Sequence, residues 1–290
     1  MVLILVVTNV YIDPANVFHN FSKDAAESIL SGNEIYVTSD NLDERGVRYH
    51  MIKSMPGNIE CIAVGPSLSF GIRSSEVGTE NFYNLSASRL NFYDYMSVFG
   101  LMEAYSKKAD HVILCVDSYF FDESKYSGGS SFAFGNKYAE YMEAILNGDS
   151  PVLLKESENS EPIELNQAFS ITYFQVAVKY IQAKNSYILK QKRWGKLDNK
   201  TENLLHYMPD GSLVYSLDFR NRTVDNVLAD INKYDIAGIF SKGKHINRYN
   251  VDIFEKLVCY LMDKGTKIDL YLHPLPPSLW DRIENDGGLE

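Results

Sequence analysis

The chain is short of positive charge: Lys and Arg total 28 against 38 Asp and Glu, a net charge of -10 over 290 residues. No dense basic run occurs anywhere. This excludes the cationic footprint with which nucleic-acid binders displace counterions from phosphates, and no nucleic acid is expected as a partner. Cysteine is scarce as well. Cys61, Cys115 and Cys259 each lie inside apolar runs and show neither paired metal-ligand spacing nor an even-numbered disulfide framework. They read as buried small hydrophobes, and no metal or cofactor is expected. A long hydrophobic run is also missing. The apolar opening, residues 1–7, is a third of the roughly 20 residues a bilayer-crossing helix needs. It lacks the basic flank and cleavage site of a complete signal peptide. It stands either as a first strand or as the tail of an anchor whose beginning lies outside this chain. No internal repeat, low-complexity tract or Pro/Gly-rich linker divides the sequence.

What is present is an ordinary globular composition, 45% hydrophobic and 23% charged, at a length that buries most of its apolar surface. Residues 8–58 read as mostly helical, with one helix over 22–30 stopped by Gly32 and another over 42–55 stopped by Pro56 and Gly57. The pattern then changes. Residues 61–64 form a short, nearly all-apolar run, as in a strand covered on both faces, and end at Gly65-Pro66-Ser67. A second strand is predicted over 82–85. It is followed by a helix over 92–105 with Phe92, Tyr95, Phe99 and Met102 on one apolar face. A third buried strand, 112–116, ends at Asp117.

Strand, helix, strand with short connections marks a parallel sheet built from right-handed crossovers. Residues 119–245 are less orderly and read as a large helical insertion. It holds helices over 136–146 and 165–183, the latter with Phe169, Tyr173, Val176 and Tyr180 on one side. Pro209-Asp210-Gly211 reads as a turn, consistent with a hairpin. The α/β pattern resumes with a helix over 251–264, carrying Val251, Phe254, Val258 and Leu261 on one face, and a strand over 267–272. The fold class expected is α/β, a three-layer α/β/α flavodoxin-like domain with a mainly parallel central sheet, spanning 1–290 as one unit.

In open parallel sheets the functional groups collect at the carboxyl ends of the strands. Four polar sites fall there: Gly65-Pro66-Ser67, Asn84 to Ser86, Asp117-Ser118 and His273-Pro274. A nucleophilic serine needs backbone N–H groups to hold an oxyanion and a base to take its proton, and a strand-to-helix turn supplies the first. Ser67 is the candidate nucleophile. Gly65 permits the tight turn, and Asn84 and Ser86 are placed to complete the oxyanion site. The bland alternative is a serine that only caps a turn.

Val64-Gly-Pro-Ser-Leu-Ser-Phe-Gly-Ile72, then Tyr83-Asn-Leu-Ser86, then Ile113-Leu-Cys-Val-Asp117 resemble the first three blocks of SGNH/GDSL-type domains. The branch they are most similar to is that of the bacterial cell-envelope proteins related to polysaccharide O-acetyltransferases and to the D-alanine-transfer protein of teichoic acids. Tyr11-Ile-Asp-Pro-Ala-Asn-Val-Phe18 is similar to the stretch just after the membrane anchor in that branch, and Leu270-Tyr-Leu-His-Pro-Leu-Pro-Pro277 resembles its late strand and loop.

The resemblance implies a serine esterase or O-acyltransferase acting on a surface polysaccharide or teichoic-acid-like polymer, at the outer face of a bacterial membrane beside an integral acyltransferase. A cytoplasmic location is the alternative. The chain departs from the pattern at three places. The third block carries Asp117-Ser118 where the superfamily has Asn, the late loop has Pro276 where a histidine is frequent, and the family's closing acid–histidine block would lie beyond 280–284.

His273 is the histidine at a late strand end and the candidate base. Asp269 shares its strand face but lies about 13 Å away along the strand, so Asp117 or a backbone carbonyl is the expected orienting partner. Arg89 is placed to hold an anionic or sugar substrate, with a surface role as the alternative, and His245 reads as solvated. Three functions stay open: the esterase or acyltransferase, an inactive domain of the same fold that partners a membrane acyltransferase, and a soluble enzyme of another class.

Overall fold

The computed structural model describes residues 2–13, 18, 21–37, 43–116, 118–121, 137–151, 168–183, 194–199, 201–233, 246–273 and 277–285. In chain order the elements are α1 (Val2–Ile12), α2 (Phe21–Leu30), β1 (Ile35–Val37), α3 (Glu44–Ser54), β2 (Asn58–Val64), a 3-10 turn (Ser67–Ser69), α4 (Ser74–Val77), β3 (Phe82–Asn84), α5 (Phe92–Ala104), β4 (Lys108–Val116) and a second 3-10 turn (Ser118–Phe121). They continue with α6 (Lys137–Leu146), α7 (Ile171–Ala183), β5 (Trp194–Lys196), β6 (His206–Tyr207), β7 (Leu213–Val214), α8 (Leu217–Arg220), α9 (Val224–Lys233), α10 (Arg248–Asp263), β8 (Lys267–Leu272) and α11 (Pro277–Asn285). Asp117, His245 and Pro276 lie outside the described residues, as does the 165–167 start assigned to the helix that includes α7.

The molecule is mixed α/β. Strands β2, β3, β4 and β8 form a four-stranded parallel sheet in the order β3-β2-β4-β8. The order turns back on itself between β2 and β4: the chain leaves β2 toward β3 on one side and later adds β4 and β8 on the other. Such a switch point opens a crevice outside the carboxyl ends of the two strands. One face of this sheet carries Ile62, Val64, Val112 and Leu114, packed beneath α3, α5, α6 and α10 in the largest core. The opposite face of β2 and β3 buries Cys61, Ala63 and Phe82 under Ile72 and Val77.

α5 was expected to be amphipathic. It is buried nearly all round, from Phe92 through Met102, because it lies between the sheet and α6. Gly100 makes that packing possible, since a Cβ there would stand 2.0 Å from the backbone oxygen of Tyr138 on α6. Asn91 and Asp94 close its amino end as a capping box, Asn91 Oδ1 accepting from Asp94 N at 2.9 Å.

A second, antiparallel sheet in the order β5-β1-β6-β7 was not anticipated. It joins β1, from the segment read as mostly helical, to three strands from the region read as a helical insertion. Strands of two and three residues are too short to show a period of two, which is why periodicity missed them. The Pro209-Asp210-Gly211 turn does join a hairpin, β6 to β7, with Tyr207 opposite Leu213. This sheet shares a second core with α2 and α3, built on Ala26, Ile29, Ile35, Met51, Phe70 and Leu213. α3 therefore lies between both cores.

Several finer expectations are corrected. Residues 2–12 form helix α1, not a strand, and its Asn9 donates to the carbonyls of Ala168 and Ser170 while Tyr173 donates to Asp13 at 2.8 Å, docking it on α7. Among the described residues no helix is long and apolar enough to cross a membrane. On α7 it is Tyr173 and Ala177 that are buried, whereas Val176 and, just before the helix, Phe169 are exposed. On α10 the buried face is Asn250, Ile253, Leu257 and Leu261, one step round from the predicted stripe. Cys61 and Cys115 are buried as expected, but Cys259, on the outer side of α10, is exposed.

On α3, His50 packs edge-to-face on Tyr49 with centroids 4.9 Å apart, and burial first, then Lys53 and Lys23, push its pKa down from 6.5 to about 4. The unfolded chain therefore takes up this proton first, so the neutral ring's contribution is complete above pH 6.5 and is lost as pH falls toward 4. The ring is only partly buried, and screening keeps the effect to about 1 kcal/mol. Urea unfolding should show wild type losing stability between pH 7 and 5, and His50→Gln losing measurably less. Equal losses in both proteins would refute the assignment.

Candidate functional site

The apolar run of β2 ends at Val64, and the backbone turns at once through Gly65 and Pro66 into the 3-10 turn that begins at Ser67. Glycine is required at position 65 by space: a Cβ would stand 2.2 Å from Ser69 Oγ and 2.4 Å from Cys115 Cβ. Ser69 is fully buried, and its hydroxyl lies 2.6 Å from Pro66 O and 2.8 Å from Ser86 Oγ. Ser67 is half-buried, and its hydroxyl makes no hydrogen bond among the described residues.

The neighbouring loop is tied to this turn. Asn84, fully buried at the end of β3, donates through Nδ2 to Ser69 O at 2.8 Å and Ile72 O at 3.0 Å, and its Oδ1 accepts from Ser86 N at 3.0 Å. Of the two candidate oxyanion amides, those of Ser67 and Ser86, the Ser86 amide is thus spoken for, and Asn84, placed to complete the site, is engaged at both its side chain and its N, which donates to Asp210 O at 2.7 Å. In this arrangement Asn84 and Ser86 brace the turn that carries Ser67.

Behind them stands Arg48 of α3, 0% exposed. Its Nε donates to Ser86 O and its Nη2 to Gly211 O, both at 2.8 Å, its Nη1 reaches Met51 Sδ, and its guanidinium lies 5.1 Å from the Tyr207 ring centre. Burial lowers its pKa, opposed by Tyr207, Glu44 and Asp210, but a guanidinium stays charged at any pH a protein meets. Arg45, one turn earlier, holds the same loop by donating to Ser88 O at 2.8 Å and pairing with Asp94 at 3.0 Å. Arg89 is exposed, with φ 52, and its carbonyl accepts from Arg45 at 3.1 Å.

On the far side of the turn stands the second sheet. Leu213 N donates to Phe70 O at 2.9 Å, and Asp210 accepts from Ser74 N at 2.8 Å, so the β6–β7 hairpin is fastened to the segment that follows Ser67. Tyr215, just past β7, directs its hydroxyl to Ser67 O at 3.5 Å. On the β4 side, Cys115 fills the space left by Gly65. Burial pushes its thiol up to about 11, and Tyr95 OH donates to its carbonyl, so it serves as packing.

The candidate base is placed differently. His273 is exposed at the carboxyl end of β8, edge-to-face with Tyr271 at 6.3 Å. β4 separates β8 from β2, a lateral offset of about 10 Å. No hydrogen bond joins His273 to Ser67 among the described residues. Asp269 pairs instead with His111 on β4, Nε2 to Oδ2 2.8 Å, and with Lys267 at 3.1 Å. Lys267 and then His111 hold its carboxyl below the usual range. His111 aligns with Cys61, toward the amino ends of the strands and away from Ser67.

Among the described residues no group of three or more His, Cys, Asp or Glu is placed to hold a metal ion. A cleft of about 410 Å³ lies at the opposite end of the parallel sheet, beneath the carboxyl ends of α5 and α10. Two of its lysines serve local acceptors, Lys264 at Glu103 and Lys107 at Met55 O. Comparison with family models, curated proteins and solved structures returned no match.

Arg48→Met keeps the bulk of the side chain but leaves two buried carbonyls without donors. Relief of burying the charge offsets only part of that loss, and the expected cost is about 2–4 kcal/mol in denaturant unfolding. Gly65→Ala should cost about 1–3 kcal/mol by overpacking against Ser69 and Cys115. Either variant unfolding like wild type would remove that contact from the brace.

Proposed function

We propose that this chain is an SGNH-type serine esterase or O-acyltransferase acting on a cell-envelope polysaccharide. The observation that carries the reading is the half-buried Ser67, whose hydroxyl makes no hydrogen bond among the described residues, in the turn leaving β2 where the parallel sheet's order reverses. Such a switch point is where open α/β sheets bind ligands. Ser67 Oγ adds to an ester carbonyl carbon while its proton passes to a base and the carbonyl electron pair moves to oxygen. Collapse breaks the bond to the donor alkoxide, which takes the proton, and leaves an acyl-serine. A polymer hydroxyl, or water, then attacks that ester and regenerates Ser67. His273, reaching Ser67 through a water, is the base within this chain, with Asp117 as its orienting partner. The three-layer α/β/α arrangement belongs to the same proposal.

The -10 net charge weighs against nucleic acid as a partner; the partner proposed is a surface polysaccharide or teichoic-acid-like polymer. The exposed apolar side chains of α1, Val2, Leu3, Ile4 and Val7, support attachment at a bacterial membrane's outer face beside an integral acyltransferase.

One observation favours a second reading, an inactive domain that assists that acyltransferase: the one carboxylate on the His273 strand, Asp269, is engaged by His111 and not by His273. Fluorophosphonate labelling separates the two. The catalytic reading expects a mass adduct on wild type, lost in Ser67→Ala. Equal labelling of both, or of neither, defeats it.

A further inference from the structure

We propose that Tyr215 is a catalytic residue of the Ser67 site, its phenolic hydroxyl donating to the acyl oxygen of the substrate as negative charge develops there. The inference rests on the serine-nucleophile reading and adds to it a donor that the second sheet supplies. Three observations converge on Tyr215.

Its hydroxyl is the side-chain donor that the structure directs at the nucleophile's own residue, at 3.5 Å from Ser67 O. That distance is at the long limit of a hydrogen bond, and an oxyanion formed beside Ser67 is a stronger acceptor for the same hydroxyl than a backbone carbonyl.

Next, the ring is fixed from behind. Phe219 stacks on it, centroids 4.6 Å apart and planes inclined by 26°, and Arg222 covers Phe219 at 5.2 Å while pairing with Asp230. A donor held in place before the reaction needs no reorganisation when charge appears, which is the source of its catalytic value.

Third, the hairpin that carries Tyr215 is locked to the Ser67 turn through Leu213 N to Phe70 O and Ser74 N to Asp210. The phenol and the nucleophile therefore move as one unit. The role also takes the place of the Ser86 amide, the second candidate oxyanion donor beside that of Ser67, which is engaged within the brace. The step balances simply: the phenol keeps its proton and donates to the substrate oxygen as charge develops there.

The test is hydrolysis of p-nitrophenyl acetate by wild type, Ser67→Ala, Tyr215→Phe and Phe219→Leu, each checked for an unchanged fold by circular dichroism. Tyr215→Phe retains the ring and its stacking and removes only the hydroxyl. The expected result is a fall in kcat of about a hundredfold with KM unchanged, the size of effect seen when an oxyanion donor is lost. Phe219→Leu, which loosens the ring but keeps the hydroxyl, should fall several-fold. If wild type turns over, Ser67→Ala does not, and Tyr215→Phe matches wild type or changes only KM, this inference fails while the serine reading stands. A wild type inert toward both the ester and fluorophosphonate overturns the two together.

Discussion

Everything near the candidate site depends on one buried cation. The Arg48 guanidinium joins three pieces of chain far apart in sequence: α3, the loop after β3 through Ser86 O, and the turn between β6 and β7 through Gly211 O. Burying a charge is costly unless it is paired and its donors are satisfied. Here the cost is met by two carbonyls, a thioether, the face of Tyr207 and the nearby carboxylates of Glu44 and Asp210. The fit is tight on the hairpin side. Gly211 has φ +80, and a Cβ there would stand 2.8 Å from both Arg48 Nη1 and Asn84 O. Only glycine meets both demands, a left-handed backbone and no side chain.

The guanidinium also explains why the two sheets act together. A parallel sheet alone would present Ser67 on an exposed turn with nothing behind it. Arg48 holds Ser86, Ser86 meets Ser69, and Ser69 closes the turn on Pro66 O, so the positions of the 66–69 residues are transmitted back to α3. From the same cation the path runs through Gly211 into the hairpin and on to Tyr215. The antiparallel sheet is thus a wall of the site, reached from two sides by contacts that converge on one side chain.

Legibility in the sequence followed the length scale of each signal. β8 matched its predicted range residue for residue although most of it is exposed, and β2 and β4 were found as cores because a strand buried on both faces reads as a continuous apolar run. β1, β5, β6 and β7 were invisible as a sheet, since two or three residues carry no period. α5 showed its aromatic stripe but not its complete burial, which depends on α6 coming to Gly100 from a distant part of the chain. The turn at Ser67 was legible; its brace was not. Arg48 looks in sequence like any helical arginine, though its position between Val47 and Tyr49, whose side chains enter different cores, was a usable hint. The His111–Asp269 pair needed the knowledge that β8 lies beside β4, which no local pattern contains.

The distribution of serine hydroxyls decides where chemistry can be sought. Ser67, Ser69 and Ser86 stand at the carboxyl ends of β2 and β3, and they differ in what surrounds them more than in sequence. Ser69 and Ser86 are fully buried and bonded to each other at 2.8 Å, with Ser69 also at Pro66 O. A nucleophile must shed its proton and meet an incoming carbonyl, and neither of these has the access to do so without breaking the brace. Ser67 differs on both counts, being half-exposed with its hydroxyl outside the network. The same logic separates the acids. Asp269 is held ionised by Lys267 and His111 toward the amino ends of the strands, so it is poorly placed to orient a base at the carboxyl ends. The structure therefore concentrates rigidity behind Ser67, and under the proposed chemistry the proton acceptor has to reach it from another strand end.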